Sequence, residues 1–489
     1  MPLSNAYVSR RFLVGALTLA VAAGHLVDGL TAAPPPADET APQVSPTRPT
    51  HSTESAQSPP RLRQADAADR DFKLVKKEFL RKARSQRTKD RLTAITLLAD
   101  FPTIEAAELM QQQLLGDSDT AVREAAIQWL ATLRDDTDIA DKLLQKLTLV
   151  TRKSGLGPRE LALLRSLGGT EGPELQMRLV KFLNEFLGTA RVDQHLLHDT
   201  LDDLADHHAD AELLRLLLVF CRTEFFERHF GFRRCVVQAL IAIPDPDAVT
   251  RLIHLLPHLD GQVQFDVVAH LMATTGQDFG SDAGKWLLWW NQNQTASRKA
   301  DRNVSRVPGV SRYGQHADYH GIPMGAKRIV FVLDTSLSMQ GGKIERAQTE
   351  LLRAIDQLPP AVAFSIVFFD GTVRVWQRDL VPANEQMKRI AKLMVRDQSL
   401  GANTASYDAL EAAFALDPEA IYFLSDGEPV GGQINNPAEI VATFAALNRV
   451  RRVSIHTIGV DTNLPGTEIF ARFMKTLAQA NWGIYQAVN

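Results

Sequence analysis

Three short segments of this 489-residue chain concentrate oxygen donors. They are Asp334-Thr-Ser336-Leu-Ser338-Met, Gly401-Ala-Asn-Thr404 and Ser425-Asp426-Gly-Glu. Asp334, Ser336, Ser338, Thr404 and Asp426 together offer two carboxylates and three hydroxyls. Oxygen-only sets of this kind suit hard cations, whereas softer metals favour nitrogen and sulfur. The same hydroxyls can equally cap helices or satisfy loop backbone, so none of them decides the matter alone. The question is whether folding brings the three segments to one place.

The surrounding pattern predicts that it does. Lys327 to Leu333 is a continuous β-rich run, suited to burial on both faces. A helix is predicted from Lys343 to Leu358, then strands from Val362 to Phe369 and from Val373 to Trp376. Helical patterns fill Asn384 to Met394 and Thr404 to Leu416. Further strands follow at Ala420 to Leu424, Val453 to Ile458 and Gly483 to Val488. This order predicts an α/β doubly wound domain, a mostly parallel sheet with helices on both sides. Ligands in such sheets bind beyond the carboxyl ends of the strands, where the strand order reverses. All three donor segments fall at such ends.

Those residues resemble a von Willebrand factor A (vWA) domain with a complete metal-ion-dependent adhesion site. The family pattern Asp-x-Ser-x-Ser, then Thr, then Asp is met at Asp334, Ser336, Ser338, Thr404 and Asp426. The resemblance covers about the last third of the chain and implies a Rossmann-like vWA domain over residues 326–489. It also implies a divalent ion, Mg²⁺ or else Mn²⁺ or Ca²⁺. Ser336 and Ser338 would bind it directly, Thr404 directly or through water, and the two aspartates largely through water. Mostly neutral ligands leave such an ion short of negative charge. An open position could then accept an Asp or Glu carboxylate from a protein partner, as vWA-type receptors do. Leu337 and Ala402 stand where the family often has glycine. Tyr319-His-Gly-Ile-Pro323 resembles a segment that precedes this domain in bacterial exported relatives.

Residues 66–290 read as helical throughout. Val122, Ala125, Ala126, Trp129, Leu130 and Leu133 recur at the same offsets as Phe232, Cys235, Val236, Ala239, Leu240 and Ile243. An Arg follows the first residue of each set (Arg123, Arg233), and another copy begins at Arg91. Adjoining copies lie about 31–32 residues apart, a period of paired-helix solenoids. The pattern resembles HEAT-type repeats, in which each helix pair is covered by the next. Trp286, Trp289 and Trp290 share a helical face, either as a binding platform or as the helix that seals the array. A polar linker is expected over 291–325.

At the N-terminus, Arg10 and Arg11 precede an apolar run from Phe12 to Ala23, which predicts a signal peptide over residues 1–33. Export by the general or the twin-arginine route both fit, and an uncleaved signal would be the chain's one membrane anchor. Residues 34–65 are rich in Pro, Ser and Thr, so a disordered linker is expected there. Cys221 and Cys235 could pair after export, or stay reduced in the core. With a formal net charge of −3 and 23% charged residues, the chain gives no electrostatic argument for nucleic acid.

Enzyme signatures are missing: there is no phosphate-cradling Gly-rich loop and no Gly-x-Ser-x-Gly elbow. The pairs His254/His258 and His316/His320 lack the Glu of a zinc-protease motif. Haloacid-dehalogenase-like phosphatases place Asp-x-Asp after the first strand, and here the second position is Ser336. The sequence therefore predicts an exported, non-enzymatic binding protein. A scaffold with a purely structural metal and a metal-dependent phosphoester hydrolase are the alternatives.

Overall fold

The computed structural model describes residues 61–170, 172–297 and 317–489. The expected signal peptide, the segment up to residue 60, most of the expected linker and His316 lie outside these residues. The chain divides into two units, Met1–Leu74 and Val75–Asn489. Of the first, only the start of helix Arg61–Ala83 is described.

In the second unit, helices stack in two layers. One layer runs through Thr88–Leu97, Thr120–Ala131, Pro158–Gly168, Ala211–Phe220, Phe230–Ala242 and Gly261–Thr275, each packed on the next. Ile104–Gln113, Thr137–Ser154 and Pro173–Phe186 form part of the other. The repeat has a visible local cause. Arg91, Arg123 and Arg233 each send Nη1 back six residues to a backbone carbonyl, of Ser85, Asp117 and Glu227, at 3.0, 2.8 and 2.7 Å. A guanidinium thus satisfies a carbonyl in the segment just before its own helix.

The two aligned apolar sets differ in burial. All six residues of the Phe232 set are buried, whereas Ala125 and Trp129 of the Val122 set are half-exposed. The Phe230–Ala242 helix has a further neighbour, helix Pro437–Arg451 of the C-terminal region, besides Gln194–His207. Helix Ala283–Ser297 ends this region and runs past residue 290. Trp286 and Trp290 are buried, and their indole N–H groups donate to Gly280 O and Thr250 Oγ1 at 2.8 and 2.9 Å. Two of the three rings therefore seal the array. Cys221 and Cys235 are unpaired, and burial pushes the Cys235 thiol up to about 12.

The C-terminal region is α/β, as its pattern predicts. Its strands are β1 (Asp318–Tyr319), β2 (Ile322–Pro323), β3 (Arg328–Asp334), β4 (Ala363–Phe369), β5 (Val373–Val375), β6 (Val381–Pro382), β7 (Ala420–Ser425), β8 (Ser454–Val460) and β9 (Tyr485–Val488). The main sheet has the order β5-β4-β3-β7-β8-β9, with β6 also paired to β4. The pairs β3–β4, β3–β7, β7–β8 and β8–β9 are parallel. Alternating side chains feed two cores. Phe331, Leu333, Phe364 and Tyr422 face Leu351 and Val395 on one side. Val330, Val332, Phe369 and Phe423 face Leu410, Phe444 and Met474 on the other. The β1–β2 hairpin falls inside the expected linker 291–325 and inserts Tyr319 into the first core.

At the amino ends of the strands this sheet is docked on the helical array. Arg452, just before β8, is 2% exposed. Its guanidinium donates to both oxygens of Asp202 at 2.7 Å and to Gln238 Oε1 at 2.6 Å. Its own carbonyl accepts from Arg234 Nη1 at 2.5 Å, and Arg234 pairs with Asp266. Glu419, just before β7, accepts the backbone N–H groups of Gln262 and Lys327 at 3.0 and 2.9 Å. Gly231 and Gly261 permit this close approach, because a Cβ there would collide with the Val450 carbonyl and the Glu419 carboxylate respectively.

Candidate metal centre

The carboxyl ends of β3 and β7 lie side by side, with β4 beyond one and β8 beyond the other, so the chain direction of the winding reverses between them. Asp334 ends β3, and Ser425 ends β7 with Asp426 directly after it. The backbone of the Asp334 loop is tied to the third segment: Ser336 bridges Gly401, Leu337 N donates to Gly401 O at 2.8 Å, and Gly401 N donates to Thr335 O at 2.9 Å. Crowding fixes that loop in turn, since a Cβ on Gly401 would meet the Asp370 carboxyl carbon at 2.6 Å.

Four of the five donor residues form one connected chain. Asp334 Oδ1 accepts from Ser336 N at 2.8 Å, and Ser336 Oγ lies 2.8 Å from Ser338 Oγ. Ser338 Oγ donates to Asp426 Oδ1 at 2.6 Å. Thr404 is 4% exposed and lies in the 401–405 segment, its carbonyl accepting from Val430 N at 3.2 Å. Its hydroxyl makes no hydrogen bond to the other four.

Three participants were not in the sequence-derived set. Ser425 Oγ donates to Asp334 Oδ2 at 2.5 Å, so both oxygens of that carboxyl are engaged. Lys343 Nζ donates to Asp426 Oδ2 at 2.8 Å and lies 3.5 Å from Asp461 Oδ2. Ser425 was visible as the residue before Asp426. For Lys343 the sequence offered only a helix start after two glycines.

Charge is expensive here. Burial pushes the Asp334 carboxyl up to about 6, against the bonds from Ser425 and Ser336 that favour its ionised form. Burial also works against the Lys343 ammonium, but Asp426 and Asp461 together hold it above the ordinary lysine value. Among the described residues no group of three or more His, Cys, Asp or Glu side chains gathers to hold a metal. His254 and His258 are exposed and part of no such group. An ion would depend on the hydroxyls of this crevice. The donor set is compatible with one: all oxygen, two carboxylates, and two serine oxygens already in line between them.

Residues 327–487 match the family model described as von Willebrand factor type A domain. This part of the chain is a vWA domain. Its relatives include human von Willebrand factor A domain-containing protein 3B, 32% identical over 163 residues, which are 33% of this chain and 12% of that protein. Human inter-alpha-trypsin inhibitor heavy chain H4 is 29% identical over 187 residues, 35% of this chain and 19% of that one. The chain thus spans less than a fifth of the length of each. Among solved structures, a von Willebrand factor type A protein from Catenulispora acidiphila aligns over 34% of this chain and 40% of its own, at 19% identity and a TM-score of 0.29.

Proposed function

We propose that this chain is an exported, non-enzymatic protein-binding molecule whose vWA domain carries one divalent ion and uses it to engage an acidic group of a protein partner. The observation that carries the reading is the unbroken Asp334–Ser336–Ser338–Asp426 chain at the reversal of strand order. Ser336 and Ser338 would hold Mg²⁺ or Mn²⁺ directly, Thr404 directly or through water, and Asp334 and Asp426 largely through water. The ion supplies a coordination position for a carboxylate oxygen. This chain's residues orient the hydroxyls and keep the two buried carboxylates apart from solvent. The docked pole supports the reading indirectly, because it leaves the opposite end of the sheet to face a partner. Export rests on the Arg10-Arg11 and Phe12 to Ala23 pattern.

A second reading, a scaffold with a structural ion, draws on the same docking: Arg452 and Glu419 join the vWA domain to the helical array. Removing metal would abolish partner binding under the first reading, and would lower stability alone under the second. Phosphoester hydrolysis is disfavoured by Ser336, which stands where a leaving group's proton donor would be needed.

The test is calorimetric titration of Mg²⁺ and Mn²⁺ into the chain and into its Asp334→Ala/Ser336→Ala variant. Saturable binding of about one ion, lost in the variant, is expected on the ligand set above. No binding to the folded wild-type chain would overturn the metal-dependent reading and shift attention to the helical surface.

A further inference from the structure

Lys343 is in an unfavourable place for helix stability. It is the first residue of helix Lys343–Gln357, following Gly341 and Gly342, whose φ angles are +77° and +93°. The amino end of a helix carries the positive pole of the peptide dipoles, so a cation there is repelled. What offsets the repulsion comes from two other loops: Asp426, after β7, and Asp461, after β8. The Asp426 side chain is 0% exposed, and its two oxygens are divided between Lys343 Nζ and Ser338 Oγ. Among the described residues Lys343 is the one cationic side chain paired with either candidate carboxylate ligand, Asp334 or Asp426.

That division of oxygens has a consequence for an incoming ion. Oδ2 is fixed by the ammonium, which turns Oδ1 toward the two serine hydroxyls. The ammonium also brings a positive charge close to the place the serines define, and like charges in a partly buried crevice repel. We propose that Lys343 restrains the affinity of the metal centre for its divalent ion, by engaging Asp426 Oδ2 and placing a positive charge beside the serine hydroxyls. The inference rests on the metal-binding reading above. Restraint leaves the ion's charge less fully neutralised by the chain itself, so that an added carboxylate has more to contribute.

The experiment measures Mn²⁺ binding to the full chain by calorimetry and by the loss of the free-Mn²⁺ electron paramagnetic resonance signal. Wild type is compared with Lys343→Met and Lys343→Arg, each checked for folding by its thermal transition. Lys343→Met is expected to bind Mn²⁺ more tightly, on the order of tenfold, because a unit charge a few ångströms away is removed. Lys343→Arg, which keeps the charge, should stay near wild type. A purely structural lysine predicts the opposite sign, weaker binding in the Met variant, and that result would overturn the inference. Unchanged affinity, or an equal gain in the Arg variant, would overturn it as well. Lys343→Gln is read in the same way if the Met variant does not fold. Binding by wild type without a gain in the neutral variant sinks this inference alone, whereas absence of binding in every form sinks the metal reading with it.

Discussion

The two ends of the vWA sheet handle buried charge in opposite ways. At the amino ends of the strands, Arg452 has both Asp202 oxygens and Gln238, Arg234 has Asp266, and Glu419 has two backbone N–H groups. Each of these charges is matched by partners of fixed geometry: Arg452 reaches Asp202 and Gln238, and Glu419 reaches Gln262 N, across the contact with the helical array, while Asp266 holds Arg234 from within that array. At the carboxyl ends, two buried carboxylates rest on serine hydroxyls and a single lysine. Hydroxyls can turn to face an ion, whereas a buried guanidinium forked onto a carboxylate cannot leave it without stranding its own charge. The first end is built to stay closed; the second, under the proposed function, would accept an ion.

The largest test of this contrast is to break the closed end. Arg452→Ala removes a buried guanidinium and leaves Asp202 and Gln238 without their donor. Asp202 is 31% exposed, so water partly replaces the lost donor, and a loss of about 2–3 kcal/mol is expected, below the range for a fully buried pair. Lysine at the same position keeps the charge but cannot reach Asp202 and Gln238 together, so Arg452→Lys should recover only part. Urea unfolding followed by tryptophan fluorescence reads both, the six tryptophans being spread over both regions. An Arg452→Ala chain as stable as wild type would show that the docking contributes nothing net.

Acid should act on the same end. His198 contacts Arg452 Nε, and His456 accepts from Ile484 N; burial, aided by the Arg452 and Arg234 guanidinium groups respectively, holds both rings down to about 3. Their Nε2 atoms are buried without a hydrogen-bond partner. A histidine held below its free value of about 6.5 binds its proton more readily in the unfolded chain. Its contribution to stability is therefore complete above about pH 6.5 and is lost as pH falls toward 3. Each ring should withdraw about 2 kcal/mol between pH 6.5 and 5. The urea midpoint is expected to drop over that interval, and His456→Gln should flatten the slope. A flat wild-type profile would contradict the assigned burial of these rings.

How far this contrast could be read from sequence depends on how far apart the partners lie along the chain. Two donor segments were legible because they stand at the ends of strong apolar strands, β3 and β7, and strand ends in a parallel sheet share one edge; the third, Gly401 to Thr404, was expected at such an end but joins helix Glu385–Arg396 to helix Ser406–Ala415. The helical repeat was legible through offsets such as Val122 against Phe232. What those offsets could not reveal was a second neighbour: the helix that carries the Phe232 set also packs on helix Pro437–Arg451 of the vWA domain. Arg452 follows Arg449 and Arg451 in a run that looks solvated, and its partner Asp202 is 250 residues away. Lys343 was legible only as the start of a helix, because Asp426 and Asp461 arrive from later loops. Strands as short as Asp318–Tyr319 carry too few residues to show alternation.

The open end should respond to pH with the reverse sign, and by less. Burial raises Asp334 to about 6, above the ordinary aspartate value of about 3.9. In the absence of metal the folded chain then holds this proton more tightly than the unfolded one. The group's contribution is complete below about pH 4 and is lost as pH rises through 6, beyond which the fold carries a buried charge at a cost. Asp334→Asn keeps an oxygen for Ser336 N and an amide for Ser425 Oγ but never ionises. With chelator present at pH 8, Asp334→Asn is expected to be more stable than wild type by about 1–2 kcal/mol, the difference vanishing near pH 4. The same variant should lose saturable Mn²⁺ binding, since the carboxylate that is costly without an ion is the one an ion would use. Equal stability of the two chains at both pH values would mean that the hydroxyls already offset the burial of Asp334, and that the open end is as well matched as the closed one.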